Sequence, residues 1–574
     1  MKKKYVRWTL WTIASPFILF IILCILIYLP PIQNFLVDKA AVYASEATGM
    51  NISVGRISLS FPLNLVVTNV DAASPHNDTL LSVRRLQVNV QLLPLLKKQV
   101  EVDGISLQGA TVNSNDLIHG MKLNGTLGEL FISSHGVALD PETAIVNKVL
   151  LKDTDLSLCL NDTAAVDTAA SDTTYWKIIL QDIDLQNVSF ALDMPLDSLS
   201  LAASLDNAIL RDGLIDLHKS AYSLQTFRIE NGRVRYDNGK PLAADSLSSG
   251  LDPSHIALTD IGVKLDSLYY GGRNMKAIIS QFVLKERSGV EIVSATGRMV
   301  SNDKVLRVPS LKLETRDSYL ELNAAMDWNA LDFKGEGLMS ARLMADIGKP
   351  DVVRFMGRMD EKFVRQYPSE PLRIRTGIDG DLNKLKLTTL TAELPGALGL
   401  FARGELTHLT DSLLRGGDIT LEAETKDLKF VSTLAEGIEI PYGTRLEGKF
   451  TMAGTKMGTD LLLMQPEAQA VVAADTIPIT VYNDSISVAD DFKMERAARL
   501  FAKYDLSRDR YEADLAVNHF DLHQFMPADS LYTLSTRLKV EGEGFDFFSP
   551  RTYFNAEGGI DRFHYGSYHL TGIS

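Results

Sequence analysis

Leu86-Gln87-Val88-Asn89-Val90-Gln91-Leu92 alternates apolar and polar side chains without interruption. Successive side chains of an extended strand point to opposite faces, so a period of two gathers the apolar groups on one face. The pattern spreads outward: Ile57, Leu59, Phe61, Leu63 and Leu65 lie before this stretch, and Leu311 with Leu313, then Leu320 with Leu322, lie after it. Turn-forming residues stand among the runs at Asp103-Gly104, Asn124-Gly125, Asp212-Gly213, Asn231-Gly232, Asp237-Asn238-Gly239 and Asp379-Gly380. Strands bounded so closely are expected to be short and joined as antiparallel meanders. Long stretches of helical period are missing, and the chain reads as mainly β.

The strands repeat. Val102-Asp-Gly-Ile105-Ser-Leu107-Gln-Gly109 matches Leu180-Gln-Asp-Ile183-Asp-Leu185-Gln-Asn187 and Leu224-Gln-Thr-Phe227-Arg-Ile229-Glu-Asn231. Each copy ends in Gly or Asn, which tolerate the left-handed backbone of a turn or bulge. A longer unit follows. Leu343 to Gly380 reads as a strand, a helical stretch near Asp351 to Met359, and a second strand. Leu421 to Gly454 and Ala513 to Gly544 repeat that plan, with Asp427-Leu428 ahead of Phe430-Val431 and Asp521-Leu522 ahead of Phe525-Met526. Such self-similarity points to elongated, twisted antiparallel β-sheet repeats, with an array of β-sandwiches as the alternative.

At 574 residues the chain exceeds one ordinary core, and 45% apolar residues exclude global disorder. A net charge of −14 without a basic block excludes a nucleic-acid partner, because phosphate binding needs clustered Lys and Arg. Lys2, Lys3, Lys4 and Arg7 precede an uncharged run from Trp8 to Leu29, long enough at 1.5 Å per residue to cross a ~30 Å hydrocarbon layer. Residues 1–30 are therefore expected to form a cytoplasmic tip and one transmembrane helix, anchored by Trp11, Phe17, Leu19, Phe20, Ile22, Leu26 and Tyr28. Basic residues before the span place the N-terminus in the cytoplasm and the bulk beyond the inner membrane. A cleaved signal peptide fits less well, since Tyr-Leu-Pro-Pro stands where a small-x-small site is needed. Ile32, Phe35, Leu36, Ala40, Tyr43 and Ala47 then recur at helical spacing, with Gly49 as a stop, and predict a short capping helix.

Chemistry is hard to find. Cys24 and Cys159 lie on either side of the expected membrane boundary and form no disulfide framework. Phosphate-loop, dinucleotide, nucleophile-elbow and metalloprotease motifs are all missing, so no catalytic residue, cofactor or metal ligand is assigned. His519 and His523, four residues apart, would share a face if helical. Lacking a third ligand, they read instead as histidines flanking the Phe520/Leu522 packing pair. Asn161 to Thr174 is a low-complexity loop, and after Tyr568-His-Leu570 the sequence stops without a cap, as expected of an N-terminal portion of a longer repeat protein.

The segments Gly49-Met-Asn-Ile52-Ser-Val-Gly55-Arg-Ile57-Ser-Leu59 and Leu80-Leu-Ser-Val83-Arg-Arg-Leu86-Gln-Val88-Asn-Val90, behind a span and a short helix, resemble the start of AsmA/TamB-like proteins of Gram-negative bacteria. That resemblance implies an AsmA-like N-terminal β domain over 31–335 and β-repeat units with helical inserts over 336–574. It implies a groove with an apolar inner face, single-pass inner-membrane anchoring, a periplasmic bulk, and phospholipid carried toward the outer membrane. Strand parity nominates Leu86, Val88, Val90, Leu311 and Leu313 as groove-lining. The alternative is a periplasmic scaffold that assembles an outer-membrane β-barrel protein by strand addition. Asp-[Ser/Thr]-aliphatic tripeptides such as Asp78-Thr79-Leu80 and Asp411-Ser412-Leu413 resemble an O-glycosylation acceptor of exported proteins, and read equally as turn residues that start strands.

Overall fold

The computed structural model describes residues 39, 41–42, 45, 49–60, 64–74, 78–91, 102–114, 120–138, 142–160, 175–239, 250–332, 336–357, 359–435, 437–466, 496–545, 549 and 552–573. The expected transmembrane span and the low-complexity loop lie outside them. Lys39, Ala41, Val42 and Ser45 are helical, and Gly49, left-handed at φ 70°, donates its N–H to the Ser45 carbonyl at 2.9 Å. That bond closes a helix C-terminus at the residue where the sequence places the stop. Among the described residues every strand belongs to one 27-stranded sheet, and the chain divides into compact units at Met1–Thr296 and Gly297–Ser574.

The first unit holds β1 (Asn51–Ser60), β2 (Asn64–Ala73), β3 (Thr79–Val90), β4 (Val102–Asn113), β5 (Met121–Ala138), β6 (Thr143–Leu160) and β7 (Lys177–Met194). It continues through β8 (Leu199–Asp216), β9 (Ala221–Leu224), β10 (Thr226–Asp237), β11 (His255–Gly271) and β12 (Asn274–Glu286). β13 (Glu291–Ser301) spans the division.

Two expectations are corrected here. First, the strands are long: β5, β6, β7 and β8 have 18 residues each. Asp103-Gly104, Asn124-Gly125, Asp212-Gly213 and Asn231-Gly232 lie inside strands without reversing the chain, and Asp212 and Asn231 are left-handed there. Only the pairs near Asp237 and Asp379 stand at strand ends. Second, β6 and β7 run parallel, from Thr143 opposite Lys177 to Cys159 opposite Asp193. A period of two is the same whichever way a neighbour runs, so it carries no signal of direction.

The second unit is an antiparallel meander of β14 (Val305–Thr315), β15 (Tyr319–Asp327), β16 (Met339–Ile347), β17 (Leu372–Gly380), β18 (Lys384–Leu394), β19 (Leu398–Thr407) and β20 (Gly416–Thr425). It goes on with β21 (Arg445–Ala453), β22 (Lys456–Met464), β23 (Ala497–Asp505), β24 (Arg510–Asp521), β25 (Leu531–Glu543), β26 (Tyr553–Tyr565) and β27 (Tyr568–Ile573).

The helical insertions fall where the longer sequence repeat places them. Helices α1 (Lys349–Met356) and α2 (Glu361–Gln366) follow β16, a 3-10 turn at Lys429–Thr433 follows β20, and another at Leu522–Gln524 follows β24. Asp427 and Asp521 each accept a backbone N–H two residues on, at 3.2 Å from Lys429 and 3.1 Å from His523, which starts the turn. Around α2 and the turn at Lys429–Thr433 sits a dense core of Phe363, Tyr367, Leu394, Ala397, Leu428 and Phe430. It packs at one end of the strands, not beneath the sheet.

Candidate functional site

The apolar face forms because strand alternation is kept in register from strand to strand. Leu86 stands between Val67 and Leu107, and its row continues through Leu130, Leu151 and Leu185. Val88 stands between Leu65 and Ile105, continuing through Ile132, Val149 and Ile183. Val90 pairs with Val102. In the second unit Leu311 pairs with Leu322 and then Leu343, while Leu313 pairs with Leu320, Ala345 and Ile374. All five nominated residues thus lie in cross-strand rows of apolar side chains, and each is partly buried.

Opposite this face the second unit is charged. Arg375 meets Asp346 at 2.7 Å, and Arg499 holds Asp460 through two bonds of 2.8 and 2.7 Å that keep its carboxyl below the usual range. Within each unit, the substantial contacts among described elements join strands that are hydrogen-bonded neighbours, apart from those made by helices and turns. In a sandwich, sheets stack about 10 Å apart and bury both inner faces. Leu86, Val88, Val90, Leu311 and Leu313 instead keep intermediate exposure within their rows.

One part of this face is hollow. A cavity of about 480 Å³ lies over β19 to β24, with Leu406, Ile419, Phe450, Met452, Met457 and Tyr504 on its wall. Its origin is side-chain size. Leu406, Gly417, Met452, Met457, Tyr504 and Tyr511 form one cross-strand row, in which Gly417 leaves a gap. The next row carries Gly404, Thr459, Ala502 and Ala513 beside the larger Ile419 and Phe450. Phe450 and Met457 remain 42% and 47% exposed, large apolar groups left uncovered at the wall. Phe545 stacks on Tyr511 with ring centres 4.9 Å apart. The Tyr504 hydroxyl donates to Asp509, whose carboxylate pushes the phenol pKa up. Sequence parity alone did not single out this hollow; the signal was the glycine and alanine content of β19 to β24.

The insertions close one end of the same strands. Phe430 packs edge-on to Phe363 at 5.7 Å and to Tyr367 at 5.1 Å, and burial raises the Tyr367 pKa. Consecutive insertions are tied together: Glu439 N–H donates to the Phe525 carbonyl at 2.7 Å. Gln465 bridges to Asp521 through two bonds of 2.7 Å. Helix α1 is docked by Asp351, 1% exposed, whose carboxylate accepts from Thr315, from Ser318 at 2.6 Å and from Arg354 at 3.0 Å.

His519 and His523 do not share a helix. His519 sits in β24 with a left-handed backbone, its Nδ1 against Asn518 at 2.8 Å, whereas His523 lies in the 3-10 turn with its ring tilted against Tyr532, centres 4.7 Å apart. Phe520 between them is buried, in line with a packing role. Of the Asp-[Ser/Thr]-aliphatic tripeptides, Thr79, Ser198, Ser412 and Ser530 present exposed residues at strand starts or in turns, while Ser267 lies within β11. No family model matches the chain, and no curated protein matches it.

Proposed function

We propose that this chain is an inner-membrane-anchored protein of the Gram-negative envelope, its bulk periplasmic, that carries phospholipid toward the outer membrane on the apolar face of its sheet. The observation that supports this most is the set of apolar cross-strand rows that stay partly exposed in each unit, deepened in the second at Gly417 into a cavity of about 480 Å³. Acyl chains laid there would gain ~0.8 kcal/mol per buried CH₂ while head groups stay in water. The activity is non-enzymatic transfer, and the chain's residues supply an apolar surface rather than a reacting group.

The test is native mass spectrometry with lipid extraction on the full chain, purified in detergent from a bacterial envelope. Co-purifying phospholipid that falls several-fold in the double variant Leu311→Asp, Leu313→Asp, and again in Phe450→Asp, is the expected result. Lipid-free protein would overturn the proposal. Cross-linking of that lipid-free protein to nascent barrel strands would support assembly of outer-membrane β-barrel proteins instead.

A further inference from the structure

The three short sequence repeats end at Gly109, Asn187 and Asn231, and all three have left-handed backbones, with φ of 61°, 50° and 52°. Asn69 and Asp153 share this conformation, at φ 53° and 48°. These five residues fall in one cross-strand row of the first unit. Between them in the row stand Gly55, Arg84, Gly128 and Asp206, which are not left-handed. Wherever two neighbouring strands cross the row, the ladder skips a pair: Gln108 faces Glu129 and Ala110 faces Leu127, while Gly109 and Gly128 are passed over.

Strand direction decides which residue is left-handed. β2, β4 and β6 run the same way, β7 is parallel to β6, and β10 returns to that direction after β8. Each of these five strands carries its left-handed residue in the row, and β1, β3, β5 and β8 do not. This explains why Asp153 and Asn187 lie side by side, where Asn187 Nδ2 donates to Asp153 Oδ1 at 2.9 Å: they belong to the parallel pair. Asp212 and Asp260 are left-handed at register breaks of their own.

At the row every strand shifts its alternation by one residue. Val67-Thr-Asn-Val70 and Leu185-Gln-Asn-Val188 show the shift on one polarity, Val83-Arg-Arg-Leu86 and Leu127-Gly-Glu-Leu130 on the other. A strict period of two lets a strand slip by two residues at no cost to its faces. A shift shared by every strand forbids that slip, because the slipped strand would turn apolar residues toward its neighbour's polar face around the row. Bulged positions also bend the strands that carry them. We propose that this row is a register lock and bend line built into the first unit, which keeps its apolar face continuous across strands of either direction.

The test is hydrogen exchange with mass spectrometry on the full chain in detergent. A β-branched residue resists the left-handed conformation, whereas Gly adopts it freely. Asn187→Val and Asn231→Val should speed amide exchange in β7, β8 and β10 at least about tenfold on both sides of the row. Asn187→Gly and Asn231→Gly should stay near wild type. In the same row, Gly109→Val should be damaging and Arg84→Val tolerated. Folding of the Gly variants where the Val variants fail to fold would also support the lock. Val variants that exchange like wild type would overturn it. So would Gly variants as damaged as Val, since the Asn side-chain bonds, not the backbone, would then hold the row.

Discussion

The first unit fixes its strands in their middle, and the second fixes them at their ends. In the first, a row running from Gly55 through Asn69, Gly109 and Asn187 to Asn231 breaks the alternation of every strand it crosses at the same level. In the second, β19 to β23 pair without a register shift, and order is imposed where helices and 3-10 turns clamp the strand ends around Phe363 and Phe430. An amphipathic sheet whose apolar rows stay partly exposed gives up some of the packing that normally specifies register. Left-handed residues cost local strain but act on strands of any length. End clamps need apolar side chains, and those of the second unit also wall off one end of its apolar face.

The largest way to break this contrast is to empty the clamp. Phe430→Ala removes a buried aromatic that touches both Phe363 and Tyr367, and is expected to cost about 3–5 kcal/mol of local stability. Hydrogen exchange should rise in α1, α2 and the ends of β17 to β21, while β1 to β8 keep their protection. Loss of protection in the first unit as well would mean that the two devices are not independent.

A smaller effect is expected one layer out, at the carboxylate that docks α1. Asp351→Ala deletes the acceptor for Thr315, Ser318 and Arg354, although Arg354 keeps Asp317 at 2.9 Å. Removing one partner of a buried hydrogen-bonded pair costs about 3 kcal/mol, and the retained bond to Asp317 should bring this nearer 2. Chemical denaturation followed by far-ultraviolet circular dichroism would read it. An unchanged midpoint would show that Phe363 and its neighbours hold the helix without the carboxylate.

Much of this is legible in the amino-acid sequence. Leu86, Val88, Leu311 and Leu313 declare their face because burial on one side of a sheet selects every second residue. The three copies ending at Gly109, Asn187 and Asn231 were visible because Gly and Asn mark left-handed backbone. Asp153 and Asn69 belong to the same row and end comparable runs, but Leu150 and Val66 stand where the three copies carry a polar residue, which blurs the alternation. The direction of β7 left no trace in its composition. The hollow over β19 to β24 depends on Gly417 and Gly404 meeting Met457 and Phe450 across several strands, a sum that no single strand displays.

The finest test of end-fixing is a turn at the other end of the second unit's strands. Asp505 closes β23 by accepting from the Ser507 N–H at 3.0 Å, the Ser507 hydroxyl at 2.7 Å and the Thr455 hydroxyl at 2.9 Å. The Ser507 bonds, followed by the Thr455 bond, lower the carboxyl from 3.8 to about 2. A depressed folded pKa stabilises the turn in full above the unfolded value and loses that contribution as protons bind. The tie between β22 and β23 should therefore hold at pH 5 and weaken between roughly pH 4 and 2. Amide exchange at Ser507 and Leu506, corrected for its intrinsic pH dependence, should show the loss. Ser507→Ala should move its midpoint upward toward an ordinary carboxylate. Because the group is exposed, the effect belongs to the turn and not to the sheet. A response spreading to β21 or beyond would mean that the ends of these strands are coupled far more tightly than their separate clamps imply.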